Sequence, residues 1–249
     1  MKWLKLPVWG ILTEAAKFYQ QNFRKLVPAA AVLALFTALA AIMNYLLDVA
    51  QSSLAVLPWS LVLAAVVLLA NLVFGTKTTI ALYILINDQC VIYNKHLLSF
   101  SGAYKKTWGK YWITLGYMFL ISLWILIPNI ILLGREVPYL NLINTGLSAI
   151  VMTYYYFLLP MIAIEPRANG YAKRAVKLAK GNRFRLFALQ IITVSVFGLL
   201  NNIFTNMFSG NLVGTFIVGL LYACIYFFTN TYACVVAVTA YRRAAKPKK

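Results

Sequence analysis

Few residues in this chain could perform catalytic or metal chemistry. Five acidic residues and one histidine, His96, are spread over 249 residues, and metal-assisted hydrolysis needs several of them clustered. Cys90, Cys224 and Cys234 have no metal-ligand or CxxC spacing, and the last two lie about 15 Å apart along one helix. Nucleophile-elbow, Walker A and HExxH motifs are missing from the sequence. We therefore expect no catalytic residue, no cofactor and no metal, and do not expect an enzyme.

Two charged residues lie close to or inside apolar stretches, where an ionisable side chain is a functional hypothesis. At 1.5 Å per residue, Lys77 is about 30 Å from Leu57, the start of its stretch, and Glu165 ends another stretch at a similar depth. One interpretation is an intramembrane charge pair of Lys77 with Glu165. The alternative is that Lys77 extends to lipid phosphate and that Glu165 is solvated beside Arg167.

The elements that must position these residues are transmembrane helices. Of all residues, 62% are hydrophobic and 11% are charged, whereas soluble domains have about 25% charged residues. A bilayer core needs about 20 apolar residues per helix. We expect no cleaved signal peptide, the first span acting as an anchor. The predicted fold is an all-α membrane bundle, one domain over residues 1–249, with six spans at about 27–47, 57–74, 112–133, 139–164, 187–208 and 212–238.

The cations alternate between the two sides of this topology. Lys and Arg number 5 before the first span, 4 in Asp88–Lys110, 7 in Arg167–Arg185 and 5 in Arg242–Lys249, while the opposite side carries only Arg135. Positively charged connections stay in the cytoplasm. The asymmetry predicts a multi-pass plasma-membrane protein with both termini cytoplasmic. Because no soluble domain carries these cations, their partner is expected to be the membrane surface and not nucleic acid.

Three cytoplasmic segments alternate apolar and basic residues at helical spacing, which is typical of amphipathic interfacial helices. They cover about residues 9–25, 100–111 and 168–180, and each precedes an odd-numbered span. A threefold repeat of basic helix and two spans is one interpretation; the other is that any basic connection entering a membrane has this composition. The candidate ligands for anionic lipid headgroups are Lys17, Arg24, Lys105, Lys106, Lys110, Lys173, Arg174, Lys177, Lys180 and Arg183.

The run FLLPMIAIEPRANGYAKRAVKLAKGNRFRLFALQII (Phe157–Ile192) resembles a late segment of a bacterial family of six-span proteins of largely unknown function. That family is similar to the membrane domain fused to some glycerophosphodiester phosphodiesterases. The shared features are Pro160, Glu165, a basic helix over Ala168–Lys180, and Gly181 with Arg183 and Arg185. EAAKFYQQNFRKL and SFSGAYKKTWGKYW also fit. The resemblance implies the fold and the membrane location, and not the phosphodiesterase reaction, whose acids and histidine this chain lacks.

Two classes of function remain. The first is a non-enzymatic membrane protein that binds anionic lipid at its cytoplasmic face, for envelope organisation or as the membrane subunit of a larger assembly. The second is a transporter or exporter subunit with a path between helix pairs near Lys77 and Glu165, driven by an ion gradient or a partner ATPase. The low polarity within the spans favours the first.

Overall fold

The computed structural model describes residues 6–50, 57–91, 98–131, 147, 149–166, 170–193 and 212–245. Every regular element within these ranges is helical, and none of these residues forms a strand. Three helices are long and apolar enough to cross a membrane: Val8–Ala40, Trp59–Asp88 and Ile217–Ala245. They correspond to the first, second and sixth predicted spans. The fold is therefore that of an all-helical membrane protein.

The first helix, α1, runs without interruption from Val8 to Ala50. It joins the predicted interfacial helix 9–25 and the predicted first span in one element. The apolar face of its first turns, with Ile11 and Ala15, is buried. It packs on the last helix, α10 (Leu212–Ala245), where the Tyr232 hydroxyl donates to the Leu12 carbonyl at 3.1 Å. A protein neighbour therefore covers the face that we expected to lie on lipid.

The second long helix is continuous from Leu57 to Val91. It consists of α2 (Leu57–Ala70), a π-helical segment (Asn71–Gly75) and α3 (Thr76–Val91). We predicted that this span ends at Phe74, where the basic loop approaches. The helix instead continues because α3 has its own neighbours, packing against α1, α4 (Phe100–Lys105) and α7 (Leu158–Ile164).

The predicted interfacial helix 100–111 is two helices. α4 spans Phe100–Lys105, and Ser99 caps its N-terminus, where the Ser99 side chain accepts the Gly102 N–H at 3.2 Å. α5 spans Trp108–Ile131. Between them, the N–H of Lys106 and that of Thr107 bond to carbonyls three residues back, at 3.1 Å each, which tightens the chain into a turn. Residues 108–111 therefore belong to the helix that contains the third predicted span.

A turn at residues 155–157 interrupts the fourth predicted span. It separates α6 (residues 149–154) from α7 (Leu158–Ile164). Pro160 has no N–H for the carbonyl of Tyr156, and its ring crowds that carbonyl, so the helix breaks just upstream of the proline. Residues 139–146 of this span and 194–208 of the fifth span lie outside the described residues.

Next, α8 spans Tyr171–Lys180 and α9 spans residues 183–193. Gly170 precedes α8 with φ 78°, a left-handed conformation that glycine adopts without steric cost. Residues 168 and 169 of the predicted basic helix lie outside the described ranges. In α8, Tyr171, Ala175 and Ala179 are buried, whereas its four basic side chains are exposed.

The buried core lies at one end of the bundle, which we call the basic end. It draws its side chains from the start of α1, from α3, α4 and α7, from α8 and α9, and from the last turns of α10. Those same segments carry or adjoin most of the cations. The described part of the chain thus places its best-packed region and its charge together.

Candidate functional site

Glu165 is the centre of a polar network at the basic end. It follows the last residue of α7, and its carboxylate accepts two hydrogen bonds from Arg174 of α8, at 2.5 and 2.9 Å. The Tyr241 hydroxyl of α10 donates to the same carboxylate. A bidentate arginine and a phenol fix both the position and the orientation of a carboxylate. The network therefore ties together α7, α8 and α10.

Lys110 of α5 binds the C-terminal end of α7. Its ammonium donates to the carbonyls of Ala163 and, at 3.1 Å, Glu165. A cation at a helix C-terminus satisfies carbonyls that have no intrahelical partner and interacts favourably with the helix dipole. Lys110 thereby adds α5 to the elements held at Glu165.

Burial lowers the pKa of Lys110 below the ordinary lysine value. The Glu165 carboxylate acts in the opposite direction, and Lys106 lowers the pKa further. The folded protein therefore binds this proton less tightly than the unfolded chain does. Through this group, the free energy of unfolding rises as the pH increases from the lowered pKa towards the ordinary one.

Lys77, the second residue of α3, is not paired with Glu165. The two side chains are both described, and neither of the ion pairs found within 4.0 Å in the described residues joins them. Lys77 is only 8% exposed, so protein encloses most of its side chain. Its ammonium lies 3.7 Å from the ring centroid of Trp108, 5.6 Å from that of Tyr111 and 6.0 Å from that of Tyr104.

Within the described residues, the two charges thus have other neighbours than each other. Glu165 is not simply solvated, because Arg174 and Tyr241 bind it, and Arg167 lies outside the described residues. Lys77 reaches towards α4 and α5, where three aromatic rings surround its ammonium, which places it in a cation–π site.

Arg183, at the start of α9, lies beside a shallow groove. Its guanidinium is 4.8 Å from the ring centroid of Tyr154 in α6, and the neighbouring Phe184 is 90% exposed. The groove encloses about 320 Å³ and is lined by Ile150, Thr153, Tyr154, Arg183, Phe184 and Phe187. Among the described residues its lining is mainly apolar, and Arg183 is the only charged side chain in it.

Most of the other predicted lipid ligands lie on the surface. Arg174 is engaged with Glu165, and Lys110 with α7, so these two predicted ligands act within the protein. The remainder are exposed: Lys17, Arg24, Lys105, Lys106, Lys173, Lys177 and Lys180.

Sequence reasoning missed two contacts between distant segments. Tyr241 belongs to an apolar stretch of the sequence. The one sign of a polar role is that its phenol lies in the last, basic turns of α10. Leu6 donates its N–H to the Asn182 side chain at 2.9 Å and accepts a hydrogen bond from Arg185 at 3.0 Å. This pairing of the N-terminal segment with the α8–α9 turn has no sequence signal, because any backbone could supply it.

A metal site is not found among the described residues, which contain no group of three or more His, Cys, Asp or Glu side chains. Cys224 is free and exposed, and Cys234 is free and buried. His96 and the side chain of Cys90 lie outside the described residues. No protein-family model, curated protein or solved structure matches this chain.

Proposed function

We propose that this chain is a non-enzymatic integral membrane protein whose basic end faces the cytoplasm and binds anionic lipid headgroups. In this role it organises the envelope or serves as the membrane subunit of a larger assembly. The three helices long enough to span a bilayer support the membrane location, and the charge asymmetry of the connections supports the orientation. The resemblance to the six-span bacterial family points the same way and stays a prediction.

The main support for this proposal is that the described acidic residues at the basic end are already bound within the protein. Glu14 binds Arg243 with an Nε to Oε2 distance of 2.8 Å, and Glu165 binds Arg174. Asp88 accepts the Leu98 N–H at 3.0 Å. The described acids are thus occupied inside the protein, while Lys173, Lys177 and Lys180 stay exposed on α8 without an acidic partner in the described ranges. No described acid neutralises them, and anionic lipid headgroups would supply the counter-charge.

Exposed aromatic residues support a membrane interface at the same level. Trp9, Trp108 and Trp112 lie at the basic end and are exposed, and Trp59 is exposed at the far end of the second long helix. Tryptophan is enriched at both membrane–water interfaces, where its ring lies among the headgroups. The exposed cations are then close to lipid phosphates.

The triple substitution Lys173→Gln, Lys177→Gln, Lys180→Gln tests the proposal. Each cation near an anionic surface contributes about 1 kcal/mol, so the loss of three should weaken binding to phosphatidylglycerol by roughly a hundredfold. The measurement is a lipid titration of the full-length protein in nanodiscs. The matched control replaces the same three residues by Arg, which keeps the charge and should keep the affinity.

Two results would contradict the proposal. The first is wild-type protein that binds phosphatidylglycerol no better than phosphatidylcholine. The second is a glutamine triple variant with wild-type affinity.

A transporter or exporter subunit is the second candidate, and one observation favours it. The cation Lys77 is buried within a candidate span, directly after a π-helical segment, and such segments occur frequently at functional sites. Uptake or release of a labelled anion by proteoliposomes, dependent on Lys77 and on a proton gradient, would establish transport. Proteoliposomes that move neither anions nor lipid under these conditions would exclude it.

A further inference from the structure

The ammonium of Lys77 is a buried cation for which the described residues supply no hydrogen-bond acceptor. It carries three N–H donors. Within the described part of the chain no carboxylate oxygen lies within 4.0 Å of it, and it donates no hydrogen bond to a backbone or side-chain oxygen. Ring faces attract a cation but replace only part of the hydration that burial removes. A buried lysine of this kind is incompletely satisfied by its own protein.

The aromatic residues around Lys77 carry further donors. Tyr111 is buried, and within the described residues no oxygen or nitrogen bonds to its hydroxyl or to that of Tyr104. Burial raises the pKa of Tyr104, which keeps its phenol protonated and able to donate. The described surroundings of Lys77 therefore combine one cation with two phenols, and no described acid lies within ion-pair distance of it.

Trp108 gives the position of this cluster relative to the membrane. Its indole lies over the ammonium and is 65% exposed, so one edge of the cluster reaches the protein surface. Trp108 begins α5, two residues after the exposed Lys106. An interfacial tryptophan lies at the level of the lipid headgroups, so lipid phosphates lie near the cluster.

We propose that Lys77, Tyr104, Trp108 and Tyr111 form a binding site for a phosphate group, which an anionic phospholipid supplies through its headgroup. The site rests on the proposed lipid-binding function and adds a specific position to it. Phosphate oxygens are strong acceptors for ammonium and phenol donors, and lysine binds phosphate as a point charge. The Trp108 ring packs beside the headgroup.

The experiment compares three variants of the full-length protein in phosphatidylcholine nanodiscs titrated with phosphatidylglycerol. Lys77→Gln removes the charge and should weaken binding of the most tightly held lipid about tenfold, the effect of losing one charge-assisted hydrogen bond. Lys77→Arg keeps a cation and should stay within about threefold of the wild type. Lys25→Gln, the control, removes an exposed cation of α1 outside this cluster and should leave this tightest site almost unchanged.

A parallel titration with inorganic phosphate identifies the source of the ligand. Phosphate that binds the wild type in pure phosphatidylcholine and fails to bind Lys77→Gln assigns the site to a soluble anion. Binding that requires phosphatidylglycerol assigns it to lipid. Both outcomes support a phosphate site at Lys77.

The site and the broader function fail in different ways. Wild-type protein without any preference for phosphatidylglycerol contradicts the lipid-binding function. A preference that Lys77→Gln retains in full contradicts the Lys77 site alone. If Lys77→Gln does not fold, Tyr111→Phe decides, because it keeps the ring and the charge and removes one donor: a severalfold loss supports the site, and wild-type affinity overturns it.

Discussion

The two halves of the second long helix have opposite surroundings. In the α2 half, leucine and valine side chains are exposed, as Leu68 is at 67%; in the α3 half, Leu82, Leu85 and Ile86 are almost completely buried. The π-helical segment Asn71–Gly75 separates the two halves. α2 is almost entirely apolar, whereas α3 also contains Lys77, Asn87 and Asp88, so the exposed half is the more hydrophobic one.

Their neighbours account for the difference. α3 lies among α1, α7, α4 and α10 at the basic end, whereas α2 packs mainly along α1. An exposed apolar surface as long as α2 is stable in hydrocarbon and costly in water. The comparison therefore indicates that the protein packs against itself at the basic end and against lipid along α2.

The substitution Leu82→Ala should have the largest effect on this comparison. Leu82 is fully buried in α3, and truncating a buried leucine costs about 2–5 kcal/mol through lost contacts and the cavity left behind. The free energy of unfolding, measured by reversible denaturation in mixed micelles, should fall by this amount.

Leu68→Ala is the matched control, with the same change of side chain in the exposed half. We expect it to alter the free energy of unfolding by no more than about 0.5 kcal/mol, since Leu68 has few protein contacts to lose. An equal loss in both variants would mean that α2 is packed against protein, and the comparison would be wrong.

Glu165→Gln tests whether charge adds to the packing at the basic end. The substitution keeps the size of the side chain and weakens its bonds to Arg174 and Tyr241. The side chains of Glu165 and Arg174 are 19% and 47% exposed, so solvent screening limits the expected loss to about 1–3 kcal/mol.

Glu14→Gln is the matched substitution in the ion pair of Glu14 with Arg243. The side chains of Glu14 and Arg243 are 52% and 36% exposed, so the carboxylate of this pair is more exposed than that of Glu165. We expect a loss below about 1 kcal/mol. Should Glu14→Gln prove the more costly substitution, the α1–α10 contact and not Glu165 would be the main polar tie at this end.

Much of the helical architecture follows from the sequence. Apolar runs of membrane-spanning length predicted the first, second and sixth spans, which correspond to helices of the required length and composition. The bending of the fourth span near Pro160 is also foreseeable, because a proline inside a helix removes a donor.

The helix boundaries at the basic end could not be predicted in the same way. The segment 9–25 has the composition of an interfacial helix, but α10 covers it, and composition does not reveal whether lipid or protein lies opposite an apolar face. Glu165 and Lys77 were identified as unusual charges, and their partners were missed. The partners, Tyr241 and Trp108, come from segments 76 and 31 residues away, and only packing brings them near.

Gly75→Ala should have the smallest effect, and it acts where the two halves meet. A Cβ added to Gly75 would lie 2.2 Å from Oδ1 of Asn71, one helical turn earlier in the π-helical segment. Alanine favours a helix over glycine by about 1 kcal/mol. In the wild-type background, the Asn71 side chain must move to make room for the alanine, which offsets this gain.

The double-mutant cycle with Asn71→Ala separates these two terms. In the Asn71→Ala background the contact is gone, so Gly75→Ala should raise the free energy of unfolding by up to about 1 kcal/mol; in the wild-type background it should raise it less or lower it. Equal effects in both backgrounds would show that Asn71 does not constrain Gly75. The joint between the lipid-facing and the protein-facing half would then depend on the backbone alone, and Gly75 would be replaceable there.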